Sequence, residues 1–198
     1  MMMWNTTWIP LQGNKVRKIL LPAIASLAVG SLVIGGARAQ DALVARGKYL
    51  VTLGGCTDCH TPGHLLGKPD MTHFLGGSDV GFAIPGLGVF VGRNLTPDQE
   101  TGLGSWTREQ IVNALTTGVR PDGRVLAPVM PYAAYAQMTR ADALAIAAYL
   151  QSLPPVKRAV PGPFGPSDKV SVFVMDVLPA AVHNSLPQHS DGSPSPAK

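Results

Sequence analysis

Cys56-Thr57-Asp58-Cys59-His60 holds the chain's two cysteines, three positions apart, with a histidine directly after the second. A C-x-x-C-H string is the attachment site of a c-type haem. Each thiol adds across one vinyl group to give a thioether, and the two-residue gap matches the spacing of the vinyls. The histidine next in line reaches the iron as its proximal ligand. The string therefore predicts haem c held by Cys56 and Cys59 and ligated by His60. Other uses of the pair fit less well. A thioredoxin-like redox pair wants a βαβ context with the first cysteine opening a helix, whereas here a helical stretch precedes the cysteines and Gly54-Gly55 intervenes. A zinc site needs four ligands. There is no second cysteine pair to complete one, and the other histidines are His64, His73, His183 and His189. A disulfide would close only a tiny loop and add little stability.

Upstream of the string the chain reads as an export signal. Lys15, Arg17 and Lys18 are followed by an apolar run of 18 residues from Ile19 to Gly36, then by Ala37-Arg38-Ala39. That is the charged region, apolar region and small-x-small site of a cleaved signal, which makes Gln40 the first mature residue and the expected location periplasmic. An apolar run of this length can also serve as a membrane anchor if it is retained. Charge follows the same division. The sequence has 16 basic and 12 acidic residues, but four basic residues (Lys15, Arg17, Lys18, Arg38) and no acidic ones lie in the signal. The mature part is therefore balanced at 12 of each, which removes any case for nucleic acid or an anionic surface as partner.

Downstream, helical periodicity and end signals place three helices. The first spans about 41–53, with Leu43, Gly47 and Leu50 on one stripe. The second begins at a capping box of Thr107 and Gln110, with Trp106 and Ile111 at staple spacing, and stops at Gly118. The third starts after Thr139 and ends at Pro154-Pro155. Between His60 and Trp106 the sequence turns to glycine and proline, a long loop that needs something to pack on, and a flat haem edge is the expected surface. From Pro154 on, a proline-rich stretch leads to a β-like apolar run, Val170 to Leu178, and then to a polar end. The domain expectation is a signal peptide over 1–39, a haem domain over 40–155, an extended tail over 156–184 that packs on the domain or a partner, and a disordered end over 185–198.

The second axial position separates electron transfer from chemistry at an open iron. Met130 stands in Ala127-Pro128-Val129-Met130-Pro131-Tyr132. Pro131 keeps it extended and Pro128 stiffens the approach, so it is the candidate ligand. Met71 lies in the glycine-rich loop, Met138 beside a helix start, Met175 in the tail run; His64 is too close to His60, and His73 is a weaker distal candidate. Arg93 and Trp106 both carry N–H donors that suit a haem propionate.

These residues carry a family resemblance. Arg46-Gly47-Lys48-Tyr49-Leu50, the C-x-x-C-H string, the methionine loop and a final Ala-Tyr-Leu helix resemble class I cytochrome c. Asn94-Leu95-Thr96-Pro97-Asp98, Thr101-Gly102-Leu103-Gly104-Ser105-Trp106, Gly118-Val119-Arg120-Pro121-Asp122-Gly123 and Met130-Pro131-Tyr132 resemble the cytochrome subunits of bacterial membrane-bound alcohol and gluconate dehydrogenases. The resemblance implies an all-α fold, about three main helices around one covalently attached haem, with long Gly/Pro-rich loops and an extended C-terminal tail. It implies thioethers at Cys56 and Cys59, ligands at His60 and Met130, and a crossing of the first and last helices near Gly47 and Tyr149. Those subunits usually carry three such haem domains, and this chain has one motif. The expected role is that of an electron carrier, not an enzyme, passing single electrons from a periplasmic dehydrogenase to a respiratory acceptor such as a terminal oxidase. The alternatives are a fixed cytochrome subunit of a dehydrogenase complex, and a haem protein with an open sixth position.

Overall fold

The computed structural model describes residue 36 and residues 38–187. The expected signal peptide, apart from its last few residues, and most of the expected disordered end lie outside the described residues. Helix α1 runs through residues 38–53, and a compact unit begins within it, at Val44. The later helices are α2 (Cys56–His60), α3 (Arg108–Thr117), α4 (Tyr132–Tyr135), α5 (Arg140–Ser152) and α6 (Ala180–Ser185). No helix among the described residues is long and apolar enough to cross a membrane.

The three principal helices form where their end signals stand. At the start of α3, the Thr107 hydroxyl accepts from Gln110 N (3.2 Å), and the Gln110 side chain accepts from Thr107 N (2.8 Å). Gly118 closes the helix at φ 75°, a left-handed conformation that glycine adopts without penalty. Thr139 caps α5 by accepting from Asp142 N at 3.1 Å. The core gathers Val51, Leu75, Ile111, Val112, Leu115, Ala143, Ile146, Ala147, Tyr149 and Leu150, with Trp106 and Met130 packed against its margin. Gly47 makes the α1–α5 crossing possible. A β-carbon there would lie 1.9 Å from the Ala145 carbonyl oxygen and 2.7 Å from Tyr149 Cβ, so the backbones approach as the resemblance implied.

The expected all-α class is wrong. Strands β1 (Val80–Ile84), β2 (Gly88–Val91) and β3 (Phe173–Met175) form a mixed sheet in the order β2-β1-β3. β1 and β2 are an antiparallel hairpin, and β3 pairs with β1 in parallel. The hairpin was hidden in a stretch that reads as glycine-rich loop, because Gly81 and Ala83 break the apolar alternation that marks a strand. Gly81 is required there, since a β-carbon would meet Val89 Cγ1 at 2.5 Å. β3 comes from the apolar run at 170–178 and finds its partner far back in the sequence.

The glycine-rich loop also packs on another part of the chain. The segment 156–164 crosses it as a strap. A β-carbon on Gly77 would fall 2.2 Å from Val160 Cγ2, and one on Gly88 would fall 2.0 Å from the Phe164 carbonyl oxygen. Phe164 and Val89 exchange backbone hydrogen bonds at 2.9 Å each way. Under Gly77 and Gly88 the packing surface is the chain's own C-terminal segment.

Candidate functional site

The site begins where α1 ends. Gly55, at φ 62°, turns the chain so that Cys56 to His60 form the separate short helix α2. Cys56 therefore does open a helix, as a redox pair would require. Its chemistry runs the other way. Burial, partly offset by the Tyr135 hydroxyl, pushes the Cys56 thiol up to about 11, and burial raises Cys59 as well. A redox-active pair needs a depressed pKa to supply thiolate. Both cysteines are unpaired, and neither joins a metal-binding cluster among the described residues.

His60 is buried at 9 % exposure, and its ring is held at one nitrogen. Nδ1 lies 2.6 Å from the Arg93 carbonyl oxygen. A carbonyl only accepts, so Nδ1 carries the proton, which leaves the Nε2 lone pair free for a metal. Burial lowers the His60 pKa, and the bond to Arg93 offsets part of that shift, so the neutral ring a metal requires is favoured. The backbone around the ring is fixed too. Gly77 N donates to His60 O at 2.8 Å, and Leu75 N donates to the buried Thr61 hydroxyl at 3.0 Å. Gly92 lies against the motif so closely that a β-carbon would sit 1.6 Å from Cys59 O and 3.4 Å from His60 Nδ1.

Beside Cys56 a cavity of about 200 Å³ opens, walled by Leu50, Leu53, Leu115, Tyr135, Met138 and Ile146 as well as Gly54 and Cys56 itself. The Tyr135 hydroxyl donates to Gly54 O at 3.0 Å, and burial with the neighbouring Cys56 pushes it up to about 12. Two thiols, one ring nitrogen set free by the bond at the other, and an adjacent apolar hollow are the features a covalently attached haem needs. The residues present fit that group.

The other candidates fall into place unequally. Met130 is half-buried at the core margin, in a turn closed by Met130 N donating to Ala127 O (3.0 Å) and Tyr132 N donating to Met130 O (2.8 Å). Met138 belongs to the same core margin and lines the cavity wall, which Met130 does not. Met71 is 61 % and Met175 43 % exposed, and His73 is taken by Asp70 at 2.6 Å. His64 Nε2 lies 3.2 Å from Asp58, and its Nδ1 is buried without a partner. Arg93 donates both ends of its guanidinium to the Val160 and Gly162 carbonyls. The Arg120 guanidinium lies over the Trp106 ring at 5.4 Å. Sequence reasoning passed over Gly92 and the carbonyl of Arg93. A glycine-rich stretch gives no local sign of which glycine touches the motif.

Comparison with known proteins agrees with this geometry. The profile of the family described as Cytochrome c matches residues 44–154. The cytochrome c subunit of alcohol dehydrogenase (quinone) from Gluconobacter oxydans (strain 621H) is 36% identical over 128 residues, covering 63% of this chain and 25% of that protein. The gluconate 2-dehydrogenase cytochrome c subunit of Pantoea cypripedii is 35% identical over 144 residues, covering 71% and 31%. The fructose dehydrogenase cytochrome subunit of Gluconobacter japonicus is 33% identical over 162 residues, covering 78% and 32%. The chain thus spans between a quarter and a third of the length of these relatives.

Proposed function

We propose a function from the premise that the chain belongs to the cytochrome c family, which implies covalently bound haem c. The chain carries one such haem, joined through Cys56 and Cys59 and ligated by His60 and Met130. It passes single electrons in the periplasm between a dehydrogenase and a respiratory acceptor. The observation that carries this reading is the His60 ring, protonated at Nδ1 by its bond to Arg93 O and open at Nε2. When bound, haem c supplies an iron that cycles between Fe(III) and Fe(II). The residues around it fix position and keep out water. Cys56 and Cys59 tether, α2 orients His60, and the apolar wall of Leu50, Leu53, Leu115 and Ile146 lowers the local dielectric.

Periplasmic location is supported by the basic stretch, apolar run and Ala37-Arg38-Ala39. Relatives described as cytochrome subunits of alcohol, gluconate and fructose dehydrogenases support a dehydrogenase as electron donor. They equally favour a second reading, a permanent subunit of such a complex. Purification of the untagged protein separates the two: elution as a free monomer sinks the fixed-subunit reading, and co-elution with a dehydrogenase sinks the free-carrier one.

Optical and redox titration of wild type, Met130→Ala and Met138→Ala tests the ligand set. Met130→Ala is expected to lose the sulfur-to-iron charge-transfer band and to lower the potential, because a thioether ligand raises it. Met138→Ala is expected to keep the band. Its loss in Met138→Ala instead would transfer the ligand role to the cavity-lining methionine.

A further inference from the structure

We infer that Arg93 is a positioning residue for the proximal histidine, and that the segment 156–164 is the strap that holds Arg93 in place. The inference rests on the reading of His60 as the iron ligand. Arg93 is engaged from both ends. Its carbonyl accepts from His60 Nδ1 at 2.6 Å, while its guanidinium donates to the carbonyls of Val160 and Gly162, nearly seventy residues further on. Among the described residues no carboxylate pairs with it, so its place is set by those two backbone oxygens.

The strap has anchors of its own. Asn94 Nδ2 donates to Val156 O at 2.7 Å, and Val156 N donates to the Thr96 hydroxyl at 3.0 Å. Arg158 N donates to the Thr101 hydroxyl at 3.0 Å, and the Arg158 guanidinium reaches Ser78 O at 3.2 Å and Gly76 O at 3.3 Å. Asn94, Thr96 and Ser78 are each only 1 % exposed. Buried polar groups satisfied in this way are costly to disturb. The same strap lies on Gly77, whose N–H donates to His60 O. The ring and the backbone carbonyl of His60 are therefore both held by residues that the strap holds.

The consequence for iron is a difference in sign. A strong Nδ1–H···O bond gives the imidazole anionic character and favours Fe(III), as an outer-shell partner does for a ligating histidine. Loosening it favours Fe(II). The charge on Arg93 acts oppositely: a nearby cation disfavours the extra positive charge of Fe(III), so deleting it would favour Fe(III). Two variants separate position from charge. Arg93→Lys keeps the cation but loses the fork that spans two carbonyls. Gly162→Ala leaves Arg93 intact and disturbs the strap, because Gly162 sits at φ 79°, where a side chain is strained.

The test is a potentiometric titration of the full chain with haem attached, together with proton NMR shifts of the haem methyls in the oxidised protein, which report the orientation of the histidine plane. Both variants are expected to shift the reduction equilibrium toward Fe(II) by about tenfold, equal to about 59 mV for one electron, and to alter the methyl pattern. Either variant holding the wild-type potential and methyl shifts breaks the chain of contacts at that link and overturns the inference. A fall in potential in either variant, with the cation kept in both, would contradict the expected sign and overturn it too. Wild type carries the control: if it attaches no haem, or keeps its ligand spectrum in His60→Ala, the ligand reading fails before this one is tested.

Discussion

Gly92→Ala is the smallest change that should disturb the iron ligand without touching it. An alanine β-carbon there would lie 1.6 Å from Cys59 O and 2.8 Å from Cys59 C. Both are backbone atoms of α2, so no rotamer change relieves the clash. Restoring an ordinary contact of about 3.4 Å requires the two segments to part by about 1.8 Å. The Arg93 carbonyl is the next main-chain group, and its bond to His60 Nδ1 begins at 2.6 Å. Hydrogen bonds of this kind weaken beyond about 3.2 Å, a tolerance of roughly 0.6 Å, so the displacement exceeds it threefold. Loss of an outer-shell partner weakens a histidine–metal bond by about 10- to 100-fold. Proton and iron compete for Nε2, so each tenfold weakening should raise by about one unit the pH at which the low-spin spectrum is lost on acidification. Acid titration followed by the Soret band, with far-UV circular dichroism showing the fold intact, measures this. Overpacking should also destabilise by about 1–3 kcal/mol in urea. A Gly92→Ala protein with wild-type acid and urea midpoints would refute the reasoning.

Two further outcomes are expected. Asn94 makes four hydrogen bonds, to the Thr101 hydroxyl, Val156 O, Thr96 N and the Thr96 hydroxyl, between 2.7 and 3.0 Å. Asn94→Ala strands buried partners and should cost about 3 kcal/mol in urea denaturation at unchanged m-value; a loss below about 1 kcal/mol would contradict it. Asp142 is held below the usual carboxylate range first by its bond to Arg46, which joins α1 to α5, and then by Thr139. A depressed pKa means the folded state prefers the ionised form. That stabilisation is complete above the unfolded value of 3.8 and lost as pH falls through the folded one. Asp142→Asn should therefore flatten the acid limb of a stability-against-pH curve, and an unchanged limb would show the pair to be idle.

What the sequence made legible was local. The C-x-x-C-H string, the Thr107–Gln110 box and the Thr139 cap are each complete within four or five residues, and the structure builds a helix or turn at each. Gly47 was also readable, because a glycine on the apolar stripe of a helix has one common use, a close crossing. The features that failed to show are those whose two halves lie far apart. His60 and Arg93 are separated by 33 residues, and the Arg93 guanidinium and Gly162 by 69. No pattern in either segment names the other. The hairpin was missed for a related reason. Gly81 and Gly88, which look like loop residues, are small because the facing strand and the strap leave no room for a β-carbon.

The parallel pairing of β3 with β1 joins Val80 to Phe173, Gly81 to Val174 and Phe82 to Met175, a sequence separation of 93 residues at each step. The β1–β2 hairpin can close from within a dozen residues, but the third strand cannot add until the whole helical core has been synthesised and passed by. Closing so long a loop is slow and gains nothing until the ends meet. The sheet is therefore assembled in two stages, and the backbone amides on the β3 side of β1 should be the last of that strand to gain protection from hydrogen exchange during refolding.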